Sequence, residues 1–380
     1  MRLSLPALMS ALAMTTANPA HAQLDSLAIH VAIGWGVDTV SSPNHEIFSL
    51  WRAYLASHPE VLRHSAYWSR AEQAQWPDFD LLRMVYQGPP KITVIQLAPA
   101  PGLDSTYVIR NLFAAVVEST HDVKPIALYR VYATREGGRW VLANALPRAT
   151  RHWKRETIGH VTFVYPPTHA FDRASARGSA GFVDSLARAF DVPVPVGITY
   201  YLADNVDDIF RARGLDFFPT AGDTIYGQSL TGDNLVVTAG VGERHRHELS
   251  HLVLLPLMVA GRTNRLVAEG LATWVGGSEG LPFPELVPGL RQYVESHPDL
   301  TIRSVLSDPP TRQGSLDVGY DGLAVLCQMV YEKGGIPAIR ELATAGVAPD
   351  SVLSVAARML SIRPSDLDAA WRQALHLGSR

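Results

Sequence analysis

The stretch that decides the fold reads ERHRHELSH and covers residues 243–251, directly after the strand-like run DNLVVTAGVG. Side chains four residues apart lie on one face of an α-helix, so His247 and His251 can direct their imidazoles at one point, with Glu248 one position round. This HExxH spacing offers zinc two nitrogen ligands and places a carboxylate beside the water that the metal activates. The alternative is an exposed turn of helix that holds no metal. His245 is expected to point away from this face, at the surface.

A second stretch, RLVAEGLATWVGG at residues 265–277, supplies a third ligand of suitable chemistry. Its apolar residues recur at helical spacing, but Glu269 interrupts the middle of the apolar face. A carboxylate in such a position is costly unless it is paired or bound to a metal. We therefore expect Glu269 to complete a three-ligand site, with an ion pair to Arg262 or Arg265 as the alternative.

The order of these motifs resembles that of the gluzincin metallopeptidases, in which HExxH is followed on a second helix by E-G-h-A, where h is apolar. Here 17 residues separate His251 from Glu269. Ala268 replaces the Asn of the zinc aminopeptidases of this class, and their G-x-M-E-N motif is absent. The chain is more similar to the bacterial peptidase MA-like proteins over residues 155–380, where GYDGLAVLCQMVYEKGG and SDLDAAWRQAL look like two later pieces of their pattern.

This resemblance implies a metal site and a reaction. It assigns His247, His251 and Glu269 as the ligands of a single zinc ion in each chain. It assigns Glu248 as the general base, which would take the proton of the attacking water and pass it to the leaving amine.

The resemblance also implies a group that stabilises the oxyanion and a surface that binds the substrate. Many gluzincins place a Tyr or His opposite the metal; Tyr320, at the start of its helix, is the candidate here, and Tyr226 and Tyr200 are alternatives. The strand NLVVTA, residues 234–239, resembles the edge strand against which gluzincins lay an extended peptide.

The function implied is that of an exported zinc-dependent peptidase, and we expect an endopeptidase that acts on polypeptides. The alternative is a catalytically silent binding or scaffold protein with a structural or lost zinc site. The intact Glu248 speaks against that alternative, because a structural site needs no general base beside it. Hydrolysis of another amide, such as a peptidoglycan cross-link, stays open.

The predicted fold class is α+β, in two domains. Residues 23–153 begin with the helical pattern HEIFSLWRAYLAS and continue with the strand patterns KITVIQLAP and YVIRNLFAAVVE and a hairpin that turns at Glu136, Gly137 and Gly138. This order of elements resembles the nuclear transport factor 2-like proteins. Residues 154–380 are predicted to form the gluzincin-like domain, with a small mixed sheet and a mostly helical C-terminal half.

Composition and the first residues limit partners and location. With 33 Lys and Arg against 36 Asp and Glu, the chain has no overall field that favours nucleic acid. Residues 1–22 combine Arg2, an apolar run and small residues, which predicts a signal peptide and a periplasmic or extracellular protein without a stable membrane anchor. The only cysteine, Cys327, is predicted to be a buried, inert thiol. The oligomeric state is left open.

Overall fold

The computed structural model describes residues 31–56, 66–75, 91–117, 119–120, 122–218, 224–309, 314 and 316–377. The predicted signal peptide, residues 1–22, lies outside the described residues. The chain is a mixed α+β protein, as predicted. Its contacts divide it into two units, one formed by Asn18–Trp153 with Asn205–Asp223 and the other by Lys154–Asp204 with Thr224–Arg380.

The first unit is built on a sheet that has six strands among the described residues. They are β1 (Val31–Ile33), β2 (Lys91–Pro99), β3 (Thr106–Val117), β4 (Asp122–Glu136), β5 (Arg139–Ala143) and β9 (Leu215–Phe217). Strands β1 to β5 neighbour one another in order; β1 is parallel to β2, and the other pairs are antiparallel. The predicted hairpin is confirmed, and Gly137 and Gly138 have the positive φ that both central residues of its two-residue turn require.

The described helices of this unit are short apart from the first. They are α1 (Asn44–Leu55), α2 (Arg70–Gln75), α3 (Ala145–Ala149) and α5 (Val206–Ala212). The predicted helix HEIFSLWRAYLAS is confirmed as α1, which buries Ile47, Trp51 and Tyr54 at helical spacing.

The segment Asn205–Asp223 belongs to the first unit, whereas the sequence analysis places it in the second domain. The reason is that β9 pairs antiparallel with β4, so that the segment completes the first sheet. Gly214 enters this pairing with φ 90°, and a Cβ there would lie 2.4 Å from the carbonyl oxygen of Arg130. Only glycine allows so close an approach of the two backbones.

The second unit begins with a small mixed sheet, as predicted. Its strands lie in the order β10 (Tyr226–Leu230), β11 (Leu235–Ala239), β8 (Ile198–Ala203), β7 (Val161–Tyr165) and β6 (Lys154–Ile158). Strand β11 is antiparallel to β10 and parallel to β8. The prediction that NLVVTA forms the edge strand is therefore wrong: it is β11, paired on both sides, and β10 lies at the edge of the described sheet.

The rest of the second unit is mostly helical, as predicted. Its α-helices are α4 (Arg173–Phe190), α6 (Arg246–Leu254), α7 (Arg265–Gly276), α8 (Phe283–Ser296), α9 (Ile302–Ser307), α10 (Val318–Ala343), α11 (Pro349–Leu360) and α12 (Leu367–Leu377). Helix α10 is broken at Gly335, whose φ is 62°. Trp371 of α12 is fully buried and donates a hydrogen bond of 3.0 Å to the carbonyl of Gly322 in α10.

Cys327 lies in the core of the helical half and is fully buried, as predicted. Burial raises the pKa of its thiol to about 12, so the thiolate is absent at neutral pH. None of the described helices is both long and apolar enough to cross a membrane.

Candidate metal centre

Helices α6 and α7 place the predicted ligands. The side chains of Leu249, Leu252 and Val253 hold one face of α6 in the hydrophobic core, which leaves His247 and His251 on another face. Helix α7 is capped by the side chain of Asn264, which accepts a hydrogen bond from the backbone N–H of Leu266.

Two glycines of α7 allow it to pack closely against its neighbours. A Cβ at Gly276 would lie 2.7 Å from the carbonyl oxygen of Arg246 on α6, and one at Gly270 would lie 2.4 Å from the Cβ of Leu323 on α10. The glycine after Glu269 in the E-G-h-A pattern therefore has a packing role, because it lets α7 approach α10. The close contacts of α7 with α6 and with α10 together set the position of Glu269.

The structure brings His247, His251 and Glu269 together at one point. Nε2 of His247 lies 3.2 Å from Oε2 of Glu269 and 3.2 Å from Nε2 of His251, and Nε2 of His251 lies 3.3 Å from the same carboxylate oxygen. Each of the three side chains is at most 9% exposed. This buried group could hold a metal ion, and in the described part of the chain it is the one His, Cys, Asp or Glu cluster of this kind.

Both alternatives raised for these residues disagree with the arrangement. The HExxH turn is buried rather than exposed, and Glu269 contacts the two histidines rather than Arg262 or Arg265. The carboxylate of Glu269 therefore faces the two imidazoles, where the predicted site requires a third metal ligand.

A backbone carbonyl orients the first histidine. Nδ1 of His247 donates a hydrogen bond of 3.0 Å to the carbonyl oxygen of Gly277, just beyond the end of α7. A histidine that donates from one ring nitrogen presents the other to a metal, and such outer partners orient the ligand. The carbonyl of Gly277 is a functional group that the sequence analysis does not identify.

Charges within the cluster shift the protonation of two members. Burial alone would lower the pKa of His247, but its hydrogen bond to Glu269 and the charges of Glu248 and Glu269 raise it to about 9. Burial alone would raise the pKa of Glu269, but the neighbouring charges of His251 and His247 hold it well below its usual range. A cation can take the place of the proton on His247 because the anionic Glu269 favours positive charge at this point.

Glu248 is 8% exposed, and its carboxylate lies against strand β10. A Cβ built on Gly227 of β10 would lie 2.6 Å from Oε1 of Glu248 and 2.1 Å from Cε1 of His245. Gly227 is therefore the position on β10 that leaves space for these two side chains. The sequence analysis does not identify it, because the role appears only when strand and helix are packed together.

The predicted surface position of His245 is wrong, because His245 is 5% exposed. The i, i+2 argument assumes a continuous helix, whereas His245 precedes α6 and follows a 3-10 turn at Gly242–Arg244. Its Nδ1 lies 2.7 Å from Oγ1 of Thr238, whose own proton goes to the carbonyl of Tyr226. Burial, together with the charges of His247 and His251, lowers the pKa of His245 to about 3, so the ring is neutral.

Replacing Gly227 with Ala is expected to lower kcat/KM by about 10- to 100-fold, because the added methyl clashes with His245 and with the carboxylate of Glu248 and displaces both. Metal binding should persist, since the three atoms nearest to that methyl belong to His245 and Glu248, which are not among the predicted ligands. Peptide hydrolysis and metal content measure the two effects. Gly181→Ala in α4 is the matched control, because a Cβ there meets nothing within 4 Å. Full activity of Gly227→Ala would contradict this role of the glycine.

The candidate oxyanion donor, Tyr320, lies next to the ligands. Its ring is nearly parallel to that of His247, with the centroids 6.0 Å apart, and its hydroxyl accepts a hydrogen bond of 3.5 Å from Arg265. Tyr200, one of the alternatives, is fully buried and donates from its hydroxyl to the carbonyl of Gly242. That hydroxyl therefore holds the backbone before α6, and the hydroxyl of Tyr226, the other alternative, donates a hydrogen bond of 2.9 Å to Oε1 of Gln228. Tyr320 stays a prediction.

A buried carboxylate braces the turn that leads into α6. Glu243 is 4% exposed, and its Oε1 accepts a hydrogen bond from the backbone of Asp172 and lies 3.1 Å from Nε2 of His169. Nδ1 of His169 lies 2.5 Å from Oδ1 of Asp204. Burial lowers the pKa of His169, but the hydrogen bonds to Asp204 and Glu243 outweigh it and raise the pKa above its ordinary value.

Replacing His169 with Gln is therefore expected to destabilise the protein in a pH-dependent way. Because the folded pKa is raised, the contribution of His169 is complete below the unfolded pKa of about 6.5 and is lost as the pH rises through the folded value. The free energy of unfolding should fall by about 1 kcal/mol near pH 6. Denaturant unfolding of wild type and variant at several pH values measures this difference. A difference that stays constant above neutrality would contradict the assignment.

Comparisons with protein-family models and with curated proteins give no match for this chain.

Proposed function

We propose that the protein is a zinc-dependent peptidase that hydrolyses internal peptide bonds of polypeptides outside the cytoplasm. The observation that carries this proposal is the convergence of His247, His251 and Glu269, with the carboxylate of Glu248 one position round the same helix. A purely structural metal site has no need of a free carboxylate beside its ligands. We also propose that the second unit is gluzincin-like and that the first unit is nuclear transport factor 2-like.

The spacing of the ligand atoms supports zinc. Zinc binds histidine nitrogen and carboxylate oxygen at about 2.0–2.2 Å in a tetrahedron, whose edges are then about 3.3–3.6 Å. The three interatomic distances in the cluster, 3.2, 3.2 and 3.3 Å, are close to such edges. Two histidines and one carboxylate leave a fourth position for water or substrate, which is the donor set of hydrolytic zinc sites.

The residues around the cluster fit the steps of amide hydrolysis. When bound, zinc supplies Lewis-acid activation of a water and of the substrate carbonyl. Glu248 accepts the proton of the attacking water and then delivers it to the leaving amine. The Tyr320 hydroxyl donates a hydrogen bond to the carbonyl oxygen as negative charge develops on it.

Strand β10 supports a polypeptide as the substrate. Of the described strands only β11 pairs with β10, so β10 is the edge strand of the described sheet, which is the position where an extended chain can be added. Because Gly227 of β10 lies against Glu248, a chain added to this edge passes the general base. A chain bound in this way can extend past the site in both directions, which suits an endopeptidase.

The test combines metal analysis with an assay of hydrolysis. The purified protein is expected to contain about one zinc per chain. It should cleave unfolded casein or members of a broad peptide library, lose activity with a chelator and regain it when zinc is added. Zinc binding without cleavage of any peptide would favour the alternative, a silent scaffold with a structural metal.

A further inference from the structure

Arg265 stands out among the residues near the metal cluster. It is the first residue of α7 and lies one helical turn before Glu269, so the two share a face of the helix. Its side chain is partly buried, and its guanidinium donates a hydrogen bond of 3.5 Å to the hydroxyl of Tyr320. Because Tyr320 stacks on His247, the cation lies beside the proposed reaction centre.

In the described part of the chain, no side chain supplies a counter-charge to the guanidinium of Arg265. Within the described residues no carboxylate lies within 4.0 Å of it. Arg148, another partly buried arginine, differs because it pairs with Glu72. A partly buried cation without a counter-charge can bind a ligand that supplies the charge.

A cavity of about 330 Å³ opens beside this side chain. Its walls include Leu266, Leu306, Ser307, Pro309 and Val347, and Arg265 is the only charged group among the described residues that line it. The volume is sufficient for one amino-acid side chain or for the end of a peptide. A cation in a largely uncharged cleft selects an anionic group.

We infer that Arg265 binds a carboxylate of the substrate close to the scissile bond. This inference rests on the proposed peptidase function and adds a substrate class to it, namely peptides that carry a carboxylate near the cleavage point. A guanidinium offers two parallel N–H donors, which match the two oxygens of a carboxylate. The carboxylate is that of an Asp or Glu side chain or that of the chain terminus, and the two sources share this chemistry.

Matched peptides distinguish these sources. The parent is the library member that is cleaved fastest or, if none is cleaved, the one that the zinc-loaded Glu248→Gln protein binds most tightly. One pair of derivatives carries Glu or Gln beside the scissile bond or, without cleavage, at the central position, and a second pair ends in a free or an amidated carboxyl group. Each is assayed with wild type, Arg265→Gln and Arg265→Lys. The lysine keeps the positive charge but lacks the two parallel N–H donors of the guanidinium. Arg262→Gln is the matched control, because Arg262 is exposed and hydrogen-bonds only to a backbone carbonyl.

The wild type is expected to cleave the carboxylate member of one pair about 10- to 100-fold faster, in kcat/KM, than its amide partner. Arg265→Gln should abolish this preference, so that it cleaves the two members of the pair at the same rate, and Arg265→Lys should retain part of the preference. An equal rate for both members of each pair in the wild type would overturn the inference. Equal losses on acid and amide peptides in Arg265→Gln would also overturn it, because they indicate a structural role.

A binding measurement separates this inference from the peptidase proposal. Calorimetry with the zinc-loaded Glu248→Gln protein, with and without Arg265→Gln, measures the affinity for the same four peptides. If no peptide is cleaved by the wild type but carboxylate peptides bind more tightly through Arg265, the peptidase proposal fails, and what stands of the inference is that Arg265 binds a carboxylate. If peptides are cleaved but neither rate nor affinity depends on the carboxylate, the inference alone fails. If no peptide is cleaved or bound, both fail.

Discussion

Glu248→Gln is expected to lower kcat by about 10²- to 10⁴-fold while the protein keeps its zinc. Glutamine has nearly the same shape as glutamate but cannot accept the proton of the attacking water. Because Glu248 is not one of the three converging groups, the metal ligands are unchanged. Turnover of the best library peptide and zinc content, measured on the same samples, check both parts of the prediction.

The control for this variant is Glu285→Gln, which makes the same change at an exposed position on α8. It should have wild-type turnover and zinc content. If Glu248→Gln retains substantial turnover, Glu248 is not the general base. If it instead loses its zinc, the carboxylate acts on the metal site rather than on the proton.

Glu269→Gln is expected to remove the metal. The change takes away the one anionic ligand, so zinc affinity should fall by more than the roughly 10- to 100-fold loss that follows from altering an outer partner of a ligand. Added zinc should raise the thermal unfolding midpoint of the wild type, because it binds the folded state, but not that of the variant. Zinc titration followed by calorimetry and by thermal unfolding measures both effects.

Glu248→Gln is the matched comparison for Glu269→Gln, since it makes the same chemical change at a residue that is next to a predicted ligand, His247, but is not itself a ligand. Glu248→Gln should bind zinc without turnover, and Glu269→Gln should show neither zinc binding nor turnover. Unchanged zinc affinity in Glu269→Gln would show that the carboxylate is not a ligand, even though it lies 3.2 Å from Nε2 of His247.

Local spacing made much of the site predictable. His247 and His251 are four residues apart on a helix, and Glu269 interrupts an apolar face, so both signals lie within single helices. The hairpin at Gly137 and Gly138 was predictable for the same reason, because its two-residue turn requires positive φ at adjacent positions, which glycine adopts readily.

Features that depend on packing between distant segments were not predictable in this way. The identity of the edge strand depends on which strands pair, and β11 gains a partner on each side only in the folded sheet. The pairing of β9 with β4 likewise assigns Asn205–Asp223 to the first unit. His245 is buried by β10 and by the turn before α6. The position of His245 in the sequence relative to His247 indicates neither contact.

The most direct test of the central claim is X-ray absorption at the zinc edge, on protein loaded with equimolar zinc. We expect nitrogen and oxygen ligands at about 2.0–2.2 Å from the zinc, with the outer scattering of two imidazoles. Substituting Glu269 with Gln should abolish this spectrum. A spectrum without imidazole scattering, or the same spectrum in the variant, would contradict a zinc site formed by His247, His251 and Glu269.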